Sequence, residues 1–291
     1  MSSSTKYNKA FTNTKFSTDN IKGSNTLIKL FCSLAIVVLI CIMIGNYAFK
    51  SGHLTCDHYV FNTYLYIVLA IVLMFIVVLV NDQTGIFNSL LMFMFNGSMI
   101  QAIISFIILI IIMFALSYAL YHVDPTNILA SNAIWLSLIF IIGLTLIPTI
   151  MLGRLTDVVG LAGIATLVVT IVVGLLGYYL GDKIVTFNWD LYLSVALFGL
   201  LGAILFVPYY ITSPETMMTF LYIISIISLI IFILLLLSNH KKLKENSDKC
   251  IDGKVVPNYP LESYGIVIKI VAIFKDFIIA LSMRKMRGKR K

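Results

Sequence analysis

Near the carboxyl end a lysine interrupts an otherwise apolar stretch, Ser263-Tyr-Gly-Ile-Val-Ile-Lys269-Ile-Val-Ala-Ile-Phe274, and Lys275 and Asp276 follow at once. Ionisable groups among apolar neighbours can relay protons, line an ion path or meet a charged partner. An unpaired charge in hydrocarbon costs several kcal/mol, so Lys269 is the leading candidate for a pore, latch or relay position. The competing reading is that its long side chain snorkels to an interface or pairs with a carboxylate elsewhere. Lys275 and Asp276 are expected at a membrane boundary, with Asp276 kept as a second pore candidate.

Other reactive residues carry weaker signals. His53, Cys56, Asp57 and His58 lie within six residues, and His122 with Asp124 forms a second small group. Such side chains can bind zinc, but the spacing matches no familiar site, so they read as loop residues and no metal or cofactor is expected. Cys32, Cys41, Cys56 and Cys250 form no evident disulfide framework. There is no Gly-x-Ser-x-Gly elbow, no His-Glu-x-x-His helix and no phosphate-binding glycine loop, which argues against an enzyme. Arg154 with Asp157, and Asp182 with Lys183, read as local charge pairs in short turns. Asp157, Asp182 and Asp190 are also candidates for charge at the mouths of a path.

The elements that must position these groups are set by hydrophobicity. Of 291 residues 60% are apolar and 12% charged, a balance that excludes an ordinary soluble core. Apolar runs of about 18 residues or more match a hydrocarbon layer roughly 30 Å thick. They lie near Leu30 to Phe49, Tyr59 to Val80, Gly97 to Tyr121, Asn132 to Leu152, Val158 to Leu180, Trp189 to Ile211, Glu215 to Leu237 and Ser263 to Met283. None alternates in the manner of barrel strands, so each must satisfy its own backbone as a helix. The fold class is an all-α, polytopic membrane bundle of seven to eight transmembrane helices. Ser213, Pro214 and Glu215 combine a hydroxyl cap, a first-turn proline and a carboxylate at the positive dipole end, and so mark a helix start.

The chain divides into a polar tail over 1–26 expected to be disordered, a seven-segment bundle over 27–238, a basic polar linker over 239–262, the last apolar helix over 263–283 and a basic tail over 284–291. The first apolar run follows too long a polar stretch for a cleaved signal peptide. The formal charge of +8 resides in Lys6, Lys9, Lys15, Lys22 and Lys29, in Lys241, Lys242, Lys244, Lys249 and Lys254, and in Arg284, Lys285, Arg287, Lys289, Arg290 and Lys291. Clusters beside membrane segments suit retention on the cytoplasmic side and contact with anionic lipid, and nucleic acid is not expected. Eight spans place both tails together and the 241–254 cluster opposite them. Seven spans and a re-entrant last segment would group that cluster with the carboxyl tail. The favoured arrangement has both tails cytoplasmic in a bacterial-type plasma membrane, with a eukaryotic or viral endomembrane as the alternative.

Small residues indicate where helices approach. Gly174, Gly177 and Gly181 make one face, and Gly199, Gly202 and Ala203 another on the next segment, so the fifth and sixth segments are expected to pack tightly. Pro148 is expected to kink the fourth segment and Pro208 to bend or end the sixth.

The order Gly163-Ile-Ala-Thr166, Gly174-Leu-Leu-Gly-Tyr-Tyr179, Asp182-Lys183-Ile-Val-Thr-Phe187 and Asp190-Leu-Tyr-Leu-Ser-Val-Ala-Leu-Phe198, together with Ser263 to Phe274 and the basic tail, resembles the transmembrane Bax-inhibitor-motif family over roughly Leu30 to Met286. The resemblance implies a bundle of about seven helices with the last one central, acting as a pH-sensitive calcium leak. In that family carboxylates end the sixth helix and sit within the last. Ser238, Asn239, His240 and Lys269 stand at the corresponding positions here. A cation at a calcium latch repels a divalent ion, so the implied conduction is altered or lost. The alternative is a non-conducting membrane regulator or assembly protein that binds partner membrane proteins through its helix faces.

Overall fold

The computed structural model describes residues 23–50, 52–87, 99–185, 189–207, 210–211 and 213–288. Its helices are α1 (Gly23–Tyr47), α2 (Tyr59–Thr84), α3 (Met99–His122), α4 (Ile128–Leu155), α5 (Val159–Ile184), α6 (Trp189–Phe206), α7 (Pro214–Ile251) and α8 (Tyr259–Gly288). A two-residue pairing of β1 (Phe49–Lys50) with β2 (His53–Leu54) folds the loop between α1 and α2. Among the described residues, α1, α2, α4, α5, α6 and α7 are each long and apolar enough to cross a membrane. The architecture is all-α and multi-pass, and large apolar side chains such as Phe31, Leu39, Ile111, Ile164, Val195 and Phe198 cover its perimeter. Such a surface suits lipid rather than water.

Local chemistry sets several helix ends. Ser213 accepts from the Thr216 N–H with Pro214 in the first turn of α7, and Asn127 accepts from the Ala130 N–H at the start of α4. Gly85 closes α2 with φ of 61° in the left-handed region, its N–H bonded to Asn81 O. Pro148 lies inside a continuous α4, whereas Pro208 lies outside the described residues. Residues 1–22 and 289–291 also lie outside them, and the tail expected over 1–26 gives up residues 23–26 to the first turn of α1.

The last helix is the axis of the bundle. α8 packs on α7, α4, α2 and α5 and touches α3, and Ile266, Val267, Ile273 and Ile278 along it are buried. Consecutive helices run in opposite directions. One end gathers the α1–α2 loop, the end of α7 and the start of α8: Tyr259 Oη donates to Thr55 O, and Asn62 Nδ2 donates to Tyr47 O at 3.0 Å, to Asp57 O at 3.2 Å and to Tyr259 Oη at 3.3 Å. At the other end, to which both tails connect, Thr156 and Ser282 share a hydrogen bond of 2.7 Å between α4 and α8. The linker expected over 239–262 is largely helical. α7 continues to Ile251 and α8 begins at Tyr259, because Leu243 and Cys250 of this stretch are buried and supply the anchorage that its charge conceals in sequence.

The glycine stripe of α5 packs, but not on α6. A Cβ on Gly177 would lie 2.7 Å from His240 Cβ and from Leu237 O, and one on Gly181 would lie 2.8 Å from Lys241 Cβ, so the stripe receives α7. Gly199 and Gly202 have no heavy atom within 4 Å of such a Cβ, and α6 has no buried residue. The expected α5–α6 pairing is thus replaced by α5–α7, because α7 brings a bulky histidine whose seat only glycine leaves open. Gly177→Ala is predicted to lower stability by about 1–3 kcal/mol, and Gly202→Ala to cause no loss. Thermal unfolding of the two variants in detergent measures the difference.

Candidate functional site

Glu262, Lys269 and Asp276 recur every seven residues along α8, about 10 Å apart at 1.5 Å per residue. That spacing brings them to one face of the helix, and each meets polar groups of α7 or of the start of α6. Near the beginning of α8, Asn246 Nδ2 of α7 donates to Glu262 Oε1 at 2.5 Å, and the Tyr59 hydroxyl of α2 also faces this carboxylate. The neighbouring positions add Trp135 Nε1, which donates to Ser263 Oγ at 3.0 Å, and Ser117, whose hydroxyl is 2.6 Å from that of Tyr264.

Lys269 lies one step further in. Helical side chains lean toward the amino end of their helix, which directs the Lys269 stem back toward Asp190 at the start of α6. Asp190 accepts from Lys242 Nζ of α7 and faces the Ser238 hydroxyl, and Lys269 interacts with the charges of both Asp190 and Lys242. The Asp190 carboxylate thus faces two cations, Lys242, which it bonds, and the buried Lys269.

The deep charges are Lys275 and Asp276, contrary to the expectation that they sit at a boundary. Asn239 Nδ2 donates to Gly265 O at 2.8 Å, which sets the antiparallel register and brings Asp276 opposite the Ser228 hydroxyl. Ser228 is about 21 Å along α7 from Pro214, near the middle of its apolar stretch. Asp276 is 9% exposed, and its Oδ2 has no hydrogen-bond partner. Lys275 turns to α4 and donates to Thr145 Oγ1 at 3.1 Å. Because α8 is the axis, the end of its apolar run is not the edge of the bundle.

The other sequence candidates separate into distinct roles. Ser238 belongs to the Asp190 cluster, whereas Asn239 holds the α7–α8 register. His240 is fully buried. Its Nδ1 lies 2.8 Å from Leu236 O, a pure acceptor, so the hydrogen is on Nδ1; Nε2 is without a partner 3.1 Å from where a Gly174 Cβ would stand. The expected local ion pairs are replaced by longer-range ones. Arg154 makes a bidentate contact of 2.8 and 2.6 Å with Asp82 of α2, while Asp157 lies 3.9 Å from Lys285. Asp182 faces Lys244 at 3.3 Å and Lys241 at 3.9 Å rather than Lys183, since α5 runs through both 182 and 183 and points adjacent residues apart.

Three of the loop residues weighed as metal ligands, Cys56, Asp57 and Asp124, have other partners. Cys56 is joined to Cys250 by a disulfide with a Cα–Cα distance of 5.6 Å, a pairing across 194 residues that spacing alone conceals. Asp57 lies 3.4 Å from Lys50. Asp124 Oδ1 accepts from Thr126 N at 2.9 Å and Thr126 Oγ1 at 2.7 Å, bonds that hold its carboxyl below the usual range. Among the described residues no three His, Cys, Asp or Glu side chains converge as a metal site. Sequence reading missed Asn62, Lys242, Ser228, Thr145 and Asp82. The available signal was a polar residue inside or beside an apolar run, which names a candidate without naming its partner.

No protein-family model matches the chain, and no curated protein matches it.

Removing the Asp190 carboxylate leaves Lys269 and Lys242 facing one another. Asp190→Asn is predicted to cost about 1–3 kcal/mol, and adding Lys269→Met should recover part of that loss by removing one cation. A double-mutant cycle by thermal unfolding checks this, with additive losses as the contrary result.

Proposed function

We propose that this is a membrane bundle of seven to eight spans that passes a proton or small ion along the seam between α7 and α8. The observation carrying this reading is the buried Asp276, with a free carboxylate oxygen, on a central helix that also presents Lys269 and Glu262 at seven-residue spacing. A charge held at mid-bundle is costly unless the site uses it. The arrangement is in keeping with the Bax-inhibitor-like resemblance, which implies a leak through a bundle with its last helix central. Calcium conduction is altered or lost in this reading. A hard divalent cation takes six or more oxygen ligands, whereas the groups meeting at Asp276 are one hydroxyl and one neighbouring lysine. Its place is a bacterial-type plasma membrane with both tails cytoplasmic, and its basic tails contact anionic lipid.

A second reading has one observation in its favour. Among the described residues the Gly199 and Gly202 face of α6 has no neighbour, and small residues on an open face of a membrane helix admit a partner helix closely. The protein would then be a non-conducting regulator or assembly factor.

Reconstitution into liposomes with ion-sensitive dyes separates the two. The leak reading predicts a flux of protons or another ion that falls at least ~10-fold in Asp276→Asn, in line with the worth of a single essential ionisable group. Absence of flux at every pH, together with a stable co-purifying membrane protein whose binding is lost in Gly202→Leu, would favour the regulator.

A further inference from the structure

We infer that the Cys56–Cys250 disulfide is a clasp on the mouth of the α7–α8 seam, that it faces an oxidising compartment, and that its reduction opens the seam. The bond joins the α1–α2 loop to the end of α7. Around it, Tyr259 at the start of α8 donates to Thr55 O beside Cys56 and receives the Asn62 amide, which also holds Tyr47 O and Asp57 O. Glu262, one turn along α8, bonds Asn246 of α7, one turn before Cys250. Both walls of the seam are thus fastened at this end to one loop, and the sulfur–sulfur bond is the covalent part of the fastening. Without it, among the described residues, the last turns of α7 are held near the α1–α2 loop by apolar packing around Leu54 and Leu243 and by the Tyr259 and Asn62 hydrogen bonds, none of them covalent.

Two independent features orient the molecule. Disulfides persist where thiols are not kept reduced, which places the clasp end outside the reducing cytoplasm. The opposite end and the tails that join it hold Lys6, Lys9, Lys15, Lys22, Lys29, Arg154, Arg284, Lys285, Arg287, Lys289, Arg290 and Lys291, twelve of the 21 basic residues. A basic excess marks the cytoplasmic side. The 241–254 cluster, which set the positive charge in conflict with eight spans, lies at the clasp end, where with Lys50 and Lys183 it makes seven basic residues against the twelve opposite. The charge pattern and the disulfide therefore assign the same orientation.

The opening step is thiol–disulfide exchange. A dithiol reductant attacks one sulfur, the Cys56–Cys250 bond breaks, and the reductant leaves as its own disulfide after passing two electrons and two protons to the two thiols. A small-molecule disulfide or protein dithiol oxidase in the oxidising compartment reverses it.

The regulatory part of this inference rests on the leak reading, so the test has two arms. In the first, thiols of the full chain in native membranes are blocked under denaturing conditions, reduced and labelled with a second reagent. Cys32 and Cys41, free in the structure, should carry the first label, and Cys56 with Cys250 the second. Finding Cys56 and Cys250 blocked by the first reagent would overturn the clasp and its orientation. In the second arm, proton flux is measured in proteoliposomes before and after dithiothreitol and in the Cys56→Ser/Cys250→Ser variant. Reduction should raise flux several-fold, and the variant should show the raised flux and no response to dithiothreitol. Flux unaffected by either change would end the gating inference while leaving the leak reading intact. Flux absent in every form would end the leak reading and the gating with it, and the labelling arm would still decide the orientation.

Discussion

The antiparallel pairing of α7 with α8 is the constraint on which the rest of the bundle depends. It is registered by the Asn239 amide on the Gly265 carbonyl and by Asn246 on Glu262, both bonds crossing from one helix to the other. In hydrocarbon there is little hydrophobic force between helices, so interhelical hydrogen bonds and close packing must specify the partner and the register. A slip by one turn would move Asp276 away from Ser228 and Lys269 away from Asp190, leaving charges without polar neighbours. Three further helices are placed against this pair, α5 by its glycines on His240 and Lys241 of α7, α4 by Lys275 and Thr145, and α2 by Asn62 and Tyr259, while α1 packs on α2.

The same pairing explains why α8 tolerates ionisable residues that would be expensive on a peripheral helix. A central position supplies polar neighbours from several directions, and each charge has at least one. Depth then separates their roles. Lys269 faces the charge of Asp190, a carboxylate that the half-exposed Lys242 of α7 also holds. Asp276 has only the Ser228 hydroxyl and its own neighbour Lys275 within a buried setting, and it retains an unpartnered oxygen. A buried carboxylate that is only partly satisfied is a poor contributor to stability.

The ends of the bundle are built differently from its middle. At the clasp end an aromatic cluster of Tyr59, Tyr66, Trp135 and Tyr259 surrounds the Asn62 hydrogen bonds, with Tyr66 and Trp135 edge-to-face and their ring centroids 5.4 Å apart. At the tail end the described residues contribute the Arg154–Asp82 pair, the Thr156–Ser282 hydroxyls, Ile278 against Gly153 and a small apolar cluster of Val158, Ala162 and Ile278. The covalent bond, the aromatic packing and the hydrogen bonds thus coincide at one end, and they hold together residues that are up to two hundred positions apart in the chain.

Much of this was determined by the sequence alone. Apolar runs of bilayer length can be satisfied only as helices, so the all-α, multi-pass class follows from composition, and the start of α7 follows from Ser213, Pro214 and Glu215. The ionisable residues of α8 and the α5 glycines were also legible, because both are unusual on their own segment. Their partners were not. Whether a glycine stripe receives the next helix or the next but one, whether a lysine lies deep or at a rim, and which two of four cysteines meet are properties of pairs distant in sequence. Only the tertiary structure decided that Lys275 and Asp276 are buried within the bundle rather than placed at its boundary. The depth of a residue is measured from the helices around it, and an apolar run records only its own length.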